Sequence, residues 1–267
     1  MYFGFEDITI QFGKKRVISG LSVDFPRGKI TTVIGRNGCG KSSLLKAVFG
    51  AVTPLSGRAV FDGRPISAYK PKVLARRIAY LPQVYFVPPD IDVYTMVSYG
   101  RYPHSRFARG LTRADADVIE RCVRLTGLTG MERRVISTLS GGERQRVRIA
   151  MTICQEPEML VLDEPTTYLD ISCQLDVLEL VKRLNRDLGI TIVMVLHDIN
   201  MAARYSDYLY AIKSDSVCAG GTPSEIVTKR ELAEIFRVEA EIHRDEKNDC
   251  PYFIPYKNNN NFEEQIK

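Results

Sequence analysis

The sequence predicts an α/β protein built on a parallel sheet, with an antiparallel β edge and an inserted α-helical subdomain. Three observations carry this. Wholly apolar runs of strand length, such as Met159 to Leu162 and Ile192 to Leu196, need cover on both faces, as strands between helical layers have. Tyr2 to Phe12 and Val17 to Phe25 instead alternate apolar and polar residues on either side of a basic turn, the pattern of a half-buried antiparallel pair. Between Val84 and Pro157 the parallel-strand runs vanish and apolar residues recur at helical spacing.

Composition sets the outer bounds. The 267 residues are 45% hydrophobic, enough for one large core or two modest ones, and carry a net charge of +5 without one long basic tract. That charge pattern argues against nucleic acid as a partner. No apolar run approaches the roughly 20 residues of a membrane span, and the start lacks the basic-then-apolar order of an export signal. The chain is therefore expected in the cytosol, with any membrane role exercised through a partner. Its six cysteines (Cys39, Cys122, Cys154, Cys173, Cys218, Cys250) have no metal-ligand spacing and read as free thiols.

Taken in order, the two alternating strands come first and are expected beside the strand Ile30 to Ile34. Phe12, in the first of them, is placed either to stack on a nucleobase or to serve as core. Ile30 to Ile34 runs into Gly35-Arg36-Asn37-Gly38-Cys39-Gly40-Lys41-Ser42, and a helix-like stretch follows from Ser43 to Phe49. Glycines let this backbone curl until its N–H groups point inward, and the helix adds the positive end of its dipole, so the stretch reads as a phosphate-binding loop. Lys41 would reach the β- and γ-phosphates and Ser42 would give its hydroxyl to Mg2+. Arg58 to Phe61 is a short strand with a hairpin corner at Asp62-Gly63. Ile78 to Leu81 is a buried strand stopped by Pro82, and Gln83, just beyond its end, is a candidate to touch Mg2+ or the attacking water.

Within the helical insertion, Thr112 caps a helix to Leu125, while Tyr99 to His104 is rich in rings and turn formers; His104 receives no catalytic role. Leu139-Ser140-Gly141-Gly142-Glu143-Arg144-Gln145 then opens a helix reaching about Cys154. Ser140 and Glu143 fit a capping box, and the paired glycines would let a phosphate approach the free N–H groups. Two phosphate-gripping helix starts suggest one nucleotide held from two sides. Met159 to Leu162 ends in Asp163 and Glu164: the first suits Mg2+, commonly through water, and the second suits orienting or deprotonating the water that attacks a γ-phosphate. Thr191 to Leu196 repeats the design with His197 at its end, placed to hydrogen-bond the γ-phosphate or to serve structure.

With these pieces in this order, residues 1–256 resemble the ATP-binding cassette family, whose core is a P-loop NTPase (RecA-like) fold. The resemblance implies a catalytic core of 1–83 and 158–256, a helical subdomain of 84–157, and ATP with Mg2+ as cofactors. It implies a nucleotide site of Phe12, Gly35, Arg36, Asn37, Gly38, Cys39, Gly40, Lys41, Ser42, Ser43, Ser140, Gly141, Gly142 and Asp170. Metal ligation falls to Ser42, Gln83 and Asp163, and catalysis to Glu164, His197 and Gln83. Phe12 stands where the family more often has tyrosine, which keeps the ring and loses the hydroxyl. A polar tail, 257–267, is expected to be disordered from its run of asparagines.

The resemblance also implies partners. In a head-to-tail dimer, Ser140, Gly141 and Gly142 of one copy close on ATP held by the phosphate loop of the other. Pro165 to Ile171, Gly100 to His104 and Leu196 to Asp207 look like the ATPase subunits of bacterial importers for ferric siderophores, haem and cobalamin, with iron chelates the first choice. Such a subunit works at the cytoplasmic face of the inner membrane with a many-helix permease and, indirectly, a substrate-binding protein. A soluble cassette acting on ribosomes or DNA is the alternative of another class. A small-molecule phosphotransferase would have no reason to carry the Ser140 signature.

Overall fold

The computed structural model describes residues 1–85, 88, 90–105, 110–213 and 216–258. In chain order the strands are β1 (Phe3–Phe12), β2 (Lys15–Phe25), β3 (Ile30–Gly35), β4 (Ser56–Phe61), β5 (Arg64–Pro65), β6 (Ile78–Leu81), β7 (Met159–Asp163), β8 (Thr191–Val195), β9 (Tyr208–Lys213), β10 (Ser216–Gly221), β11 (Val238–Asp245) and β12 (Cys250–Asn258). The helices are α1 (Lys41–Val48), α2 (Pro71–Arg77), α3 (Val93–Ser98), α4 (Arg113–Leu125), α5 (Gly141–Ile153), α6 (Ile171–Leu188), α7 (Ile199–Tyr205), α8 (Pro223–Ile226) and α9 (Lys229–Glu231). They form two compact units, one of residues 1–65 with the chain from 195 onward, the other of residues 66–194.

In the first unit β3 lies parallel to β9, in register from Thr31 with Tyr208 to Gly35 with Ile212, and β10 folds back antiparallel on β9. All six residues of β3 are buried. The alternating strands do not extend this sheet at its edge. They form an antiparallel sheet of their own, in the order β2-β1-β4-β5. Its inward side chains, Phe3, Phe5, Phe25 and Phe61, are fully or almost fully buried, and the Phe3 and Phe25 rings stack at 5.1 Å. Such a pair adds about 0.5–1.5 kcal/mol beyond its buried area. Tyr210 of β9 joins the two sheets: its ring meets Phe25 edge-on and its hydroxyl donates to the Asp24 carbonyl at 2.7 Å.

A terminal ribbon, β11 paired antiparallel with β12, completes this unit. Asn200 of α7 binds the ribbon as a peptide group would. Its Nδ2 donates to Phe253 O at 3.1 Å, and its Oδ1 accepts from Phe253 N at 3.0 Å. Lys257 and Asn258 pair with Glu239 and Val238 as the last rungs of the ribbon, so the tail expected from 257 begins inside a strand. Residues 259–267 lie outside the described residues.

The second unit carries β8, β7 and β6 side by side, with β6 and β7 parallel from Ile78 with Met159 to Leu81 with Leu162. The expected helical insertion, 84–157, contains helices and, among its described residues, one isolated bridge between Asp92 and Val135. Its helices share a core with these strands, α5 packing on both β6 and α6, so the compact unit is wider than the insertion. Thr112 caps α4 as expected, and Asp115 completes a capping box with it. Asp115 also takes the buried Arg101 guanidinium at 2.8 Å, and that guanidinium reaches Cys154 O and Glu156. A Cβ on Gly100 would stand 2.1 Å from Met151 O, so only glycine lets this turn sit so close to α5. His104 bonds the Gln155 carbonyl at 2.8 Å. Gly100, Arg101 and His104 thus fasten the ring-rich turn to the end of α5, leaving Tyr99 and Tyr102 exposed. Among the described residues no helix is long and apolar enough to cross a membrane.

Candidate functional site

The site residues fall on both units, and each half has its own geometry. In the first unit, β3 ends at Gly35 and the chain turns through Arg36 to Gly40 before α1 begins at Lys41. A Cβ at Gly35 would come within 2.4 Å of Ile212 O on the paired strand. One at Gly40, with φ of 99°, would collide with Val17 Cγ1 at 2.7 Å. Glycine at both positions is what lets the loop curl between β9 and β2. Lys41 is buried, and its ammonium donates to Gly35 O at 2.8 Å and Arg36 O at 3.0 Å, which stretches the side chain along the inside of the loop. Cys39 is buried beneath it, while Arg36, Asn37 and Gly38 are exposed. Ser42 and Ser43, half-buried, open the first turn of α1.

A hollow of about 830 Å³ stands over this loop, and exposed His197, just past the end of β8, lines it too. Four further lining residues escaped the sequence reading of the site: Lys15, Arg16 and Val17 at the start of β2, and Phe236 at the end of a π turn that continues α9. A basic hairpin turn reads as ordinary surface, and nothing local in the sequence announces that residue 236 returns to the loop. Phe12 is half exposed at the end of β1, cross-strand from Lys15.

In the second unit, β7 is buried throughout and delivers Asp163 and Glu164 at its end. Asp163 is buried and accepts a hydrogen bond from the Tyr80 hydroxyl at 3.1 Å. Burial, and then the negative charge of Asp163, push the Tyr80 phenol above its ordinary range, so it stays a neutral donor. Glu164 adopts φ of 52°, a left-handed conformation that few residues other than glycine take. Two donors meet its Oε2: Gln83 Nε2 at 2.5 Å and Thr167 Oγ1 at 3.0 Å. Gln83, from just beyond β6, is thus brought to Glu164. Tyr80 and Thr167 were not singled out from sequence, because a strand tyrosine and a turn threonine carry no local mark of their partners.

Ser140 caps α5 as expected: its hydroxyl accepts from Glu143 N at 3.2 Å, and the Glu143 carboxylate accepts from Ser140 N at 2.7 Å. Those bonds from Ser140 hold the Glu143 carboxyl below its ordinary range. Gly142 has a packing reason as well as any ligand reason. A Cβ there would meet Cys173 Sγ of α6 at 2.8 Å, whereas one at Gly141 would find only Leu169 at 3.4 Å. Gly141 and Ser140 are exposed and Gly142 is buried. Asp170 caps α6, accepting from Cys173 N at 2.8 Å.

The donors assigned to Mg2+ fit that ion chemically. Ser42, Gln83 and Asp163 offer a hydroxyl, an amide oxygen and one buried carboxylate, hard oxygen donors of the kind Mg2+ takes when substrate phosphates and water complete its shell. Among the described residues no cluster of three or more His, Cys, Asp or Glu side chains is built to hold a metal alone.

The comparisons with known proteins agree with this geometry. A family model described as ABC transporter matches residues 18–167. The iron(3+)-hydroxamate import ATP-binding protein FhuC of Bacillus subtilis is 41% identical over 94% of this chain and 93% of its own length. The ferric enterobactin transport ATP-binding protein FepC of Escherichia coli is 41% identical over 94% and 92%. A solved structure described as a metal-chelate type ABC transporter in an inward-facing conformation superposes with a TM-score of 0.83 at 26% identity, covering 96% of this chain and 97% of that one. A cradle closed over Lys41, a buried strand ending in paired acids and a capped glycine helix start, joined to relatives of this likeness along nearly the whole length, place the chain in the ABC transporter family.

Proposed function

We propose that this protein is the ATP-hydrolysing subunit of an importer that takes up iron chelates of the siderophore type through a separate membrane permease. The observation that supports it most is the pair of phosphate and acid motifs set at strand ends, in a chain whose relatives serve hydroxamate and enterobactin transport. In this reading the curled backbone of Gly35 to Gly40 cradles the polyphosphate and Lys41 exchanges its carbonyl partners for the β- and γ-phosphates. His197 bonds the γ-phosphate and Phe12 stacks on the adenine. Glu164 orients the attacking water and takes its proton, and Gln83 steadies that water. Ser42, Gln83 and Asp163 would hold Mg2+, which would supply charge neutralisation at the phosphates when bound.

The cycle needs two copies, head to tail. ATP on one phosphate loop is covered by Ser140, Gly141 and Gly142 of the partner, with Asp170 near the same seam. ATP draws the pair together, and hydrolysis lets them part. The helices of 84–157 carry that motion to a permease at the cytoplasmic face of the membrane, which a binding protein loads from the other side. Nucleic acid has no part in it.

Glu164→Gln tests the central assignment. The variant should bind ATP as the parent does, hydrolyse it at least about 100-fold more slowly, and accumulate a long-lived ATP-bound dimer in light scattering. Turnover near the parent rate would remove Glu164 from the reaction. Uptake of a ferric siderophore, restored by this chain and its permease in cells lacking their own ATPase subunit, tests the cargo class; failure with every ferric chelate offered would sink it.

A further inference from the structure

We propose that Arg148 is a positioning residue for Gln83, fixing the turn that carries it to the helix that begins at Ser140. The inference rests on the reading of Gln83 as a participant in hydrolysis. Arg148 lies two turns into α5, half-buried, and among the described residues no charge partner explains it. Its Nη2 donates to Pro82 O at 2.5 Å, with Gln83 O behind at 3.5 Å, and its Nη1 donates to Gln145 Oε1 at 2.9 Å. Gln145, which is buried, donates onward to Pro165 O at 2.7 Å. One turn of α5 therefore grips both loops whose side chains meet at Glu164: the turn ending in Gln83 and the turn that follows Glu164 itself.

The chemistry of the grip is unusual for a structural contact. Among the described residues Arg148 has no carboxylate partner, its buried Nε bonds nothing, and its guanidinium faces the Tyr85 ring at 5.8 Å. Holding a half-buried cation with no counter-charge is costly, and the acceptors it meets here are neutral. What the guanidinium provides is geometry: a planar fork that donates in two directions at once, which neither lysine nor an apolar side chain supplies. Glycines 141 and 142, two turns up the same helix, form the surface proposed to cover a partner's ATP. Arg148 makes that surface and Gln83 parts of one rigid piece, so a displacement of α5 when the dimer closes is delivered to the Gln83 amide and, through its bond to Glu164, to the base.

The test compares Arg148→Met and Arg148→Lys, alone and combined with Gln83→Ala, in the full chain. Arg148→Met should lose some thermal stability but remain folded at the assay temperature, bind ATP within about two-fold, and still dimerise on ATP when Glu164→Gln is also present, yet hydrolyse ATP about 10-fold more slowly. Arg148→Lys should recover only part of the rate. In the Gln83→Ala background, Arg148→Met should cost nothing more, because the residue it positions is gone. A parent-like rate in Arg148→Met, or the same fractional loss with and without Gln83, overturns the proposal. A parent-like rate in Gln83→Ala alone strikes the assignment of Gln83 itself and the clamp with it, and is recognised because it needs no change at Arg148. Should Arg148→Met misfold, Arg148→Lys carries the same cycle.

Discussion

Thr167 gives the proposed base its bearing. Its hydroxyl donates to the same Glu164 oxygen that Gln83 reaches, across a turn whose first residue sits at φ of 52°. A side chain leaving a left-handed backbone is aimed by that conformation, and a second hydrogen bond narrows the aim further. Removing a hydrogen bond to a charged group forfeits about 1.5–3 kcal/mol, so Thr167→Val should lower kcat roughly 10-fold or more while KM for ATP holds within about two-fold. Thr167→Ser should behave as the parent, and in the Glu164→Gln background the loss should vanish. A loss that persists there would assign Thr167 to folding instead. Sequence alone marks Glu164, since an acid closing an apolar strand stands out, but not Thr167, whose role exists only once the turn has folded.

At the scale of elements, what was legible was what is local. The Thr112 cap on α4, the capping box on α5, the apolar β7 and the hairpin corner at Asp62 and Gly63 are written in neighbouring residues and appear where their signals lie. Contacts between distant segments were not legible. The antiparallel strands read as an edge of the β3 sheet because alternation tells which side chains are buried, not which sheet buries them. Gly142 read as an opening for phosphate, yet its missing Cβ is also what admits Cys173. Gly142→Ala should therefore loosen α5 against α6 and cost about 1–3 kcal/mol of stability in thermal unfolding. Cys173→Ala should return most of it by withdrawing the sulfur; if it returns nothing, the contact is not the cause.

The seam between α4 and the ring-rich turn has its own signature in acid. Hydrogen bonding from Thr112, followed by the Arg101 guanidinium, holds the Asp115 carboxyl at about 2, against an ordinary 3.8. A depressed carboxylate stabilises the fold fully above its unfolded value and loses that contribution as pH falls through the folded one. Asp115→Asn should thus melt below the parent at pH 7, and the gap should close between 3.8 and about 2. A gap that is constant across that window would show that charge at Asp115 is irrelevant to stability.

At the scale of the molecule, the proposal turns on an assembly that one copy cannot perform. Ser140 is exposed, so a bulky replacement there should obstruct the facing copy, while the lost cap on α5 costs its own chain only about 1 kcal/mol. Ser140→Arg should leave ATP binding by each phosphate loop within about two-fold, abolish the ATP-driven dimer in light scattering and reduce turnover toward background. Unaltered turnover would mean that each copy works alone.

Head-to-tail pairing succeeds only if copies meet through one face and no other. An antiparallel ribbon with an open rim offers a competing route, since bare main-chain groups invite a strand from any neighbour. At Phe253 the amide of Asn200 fills that rim from within the same chain, satisfying donor and acceptor together. A single carboxamide here plays the understudy to a missing strand, and leaves a would-be zipper without its first tooth.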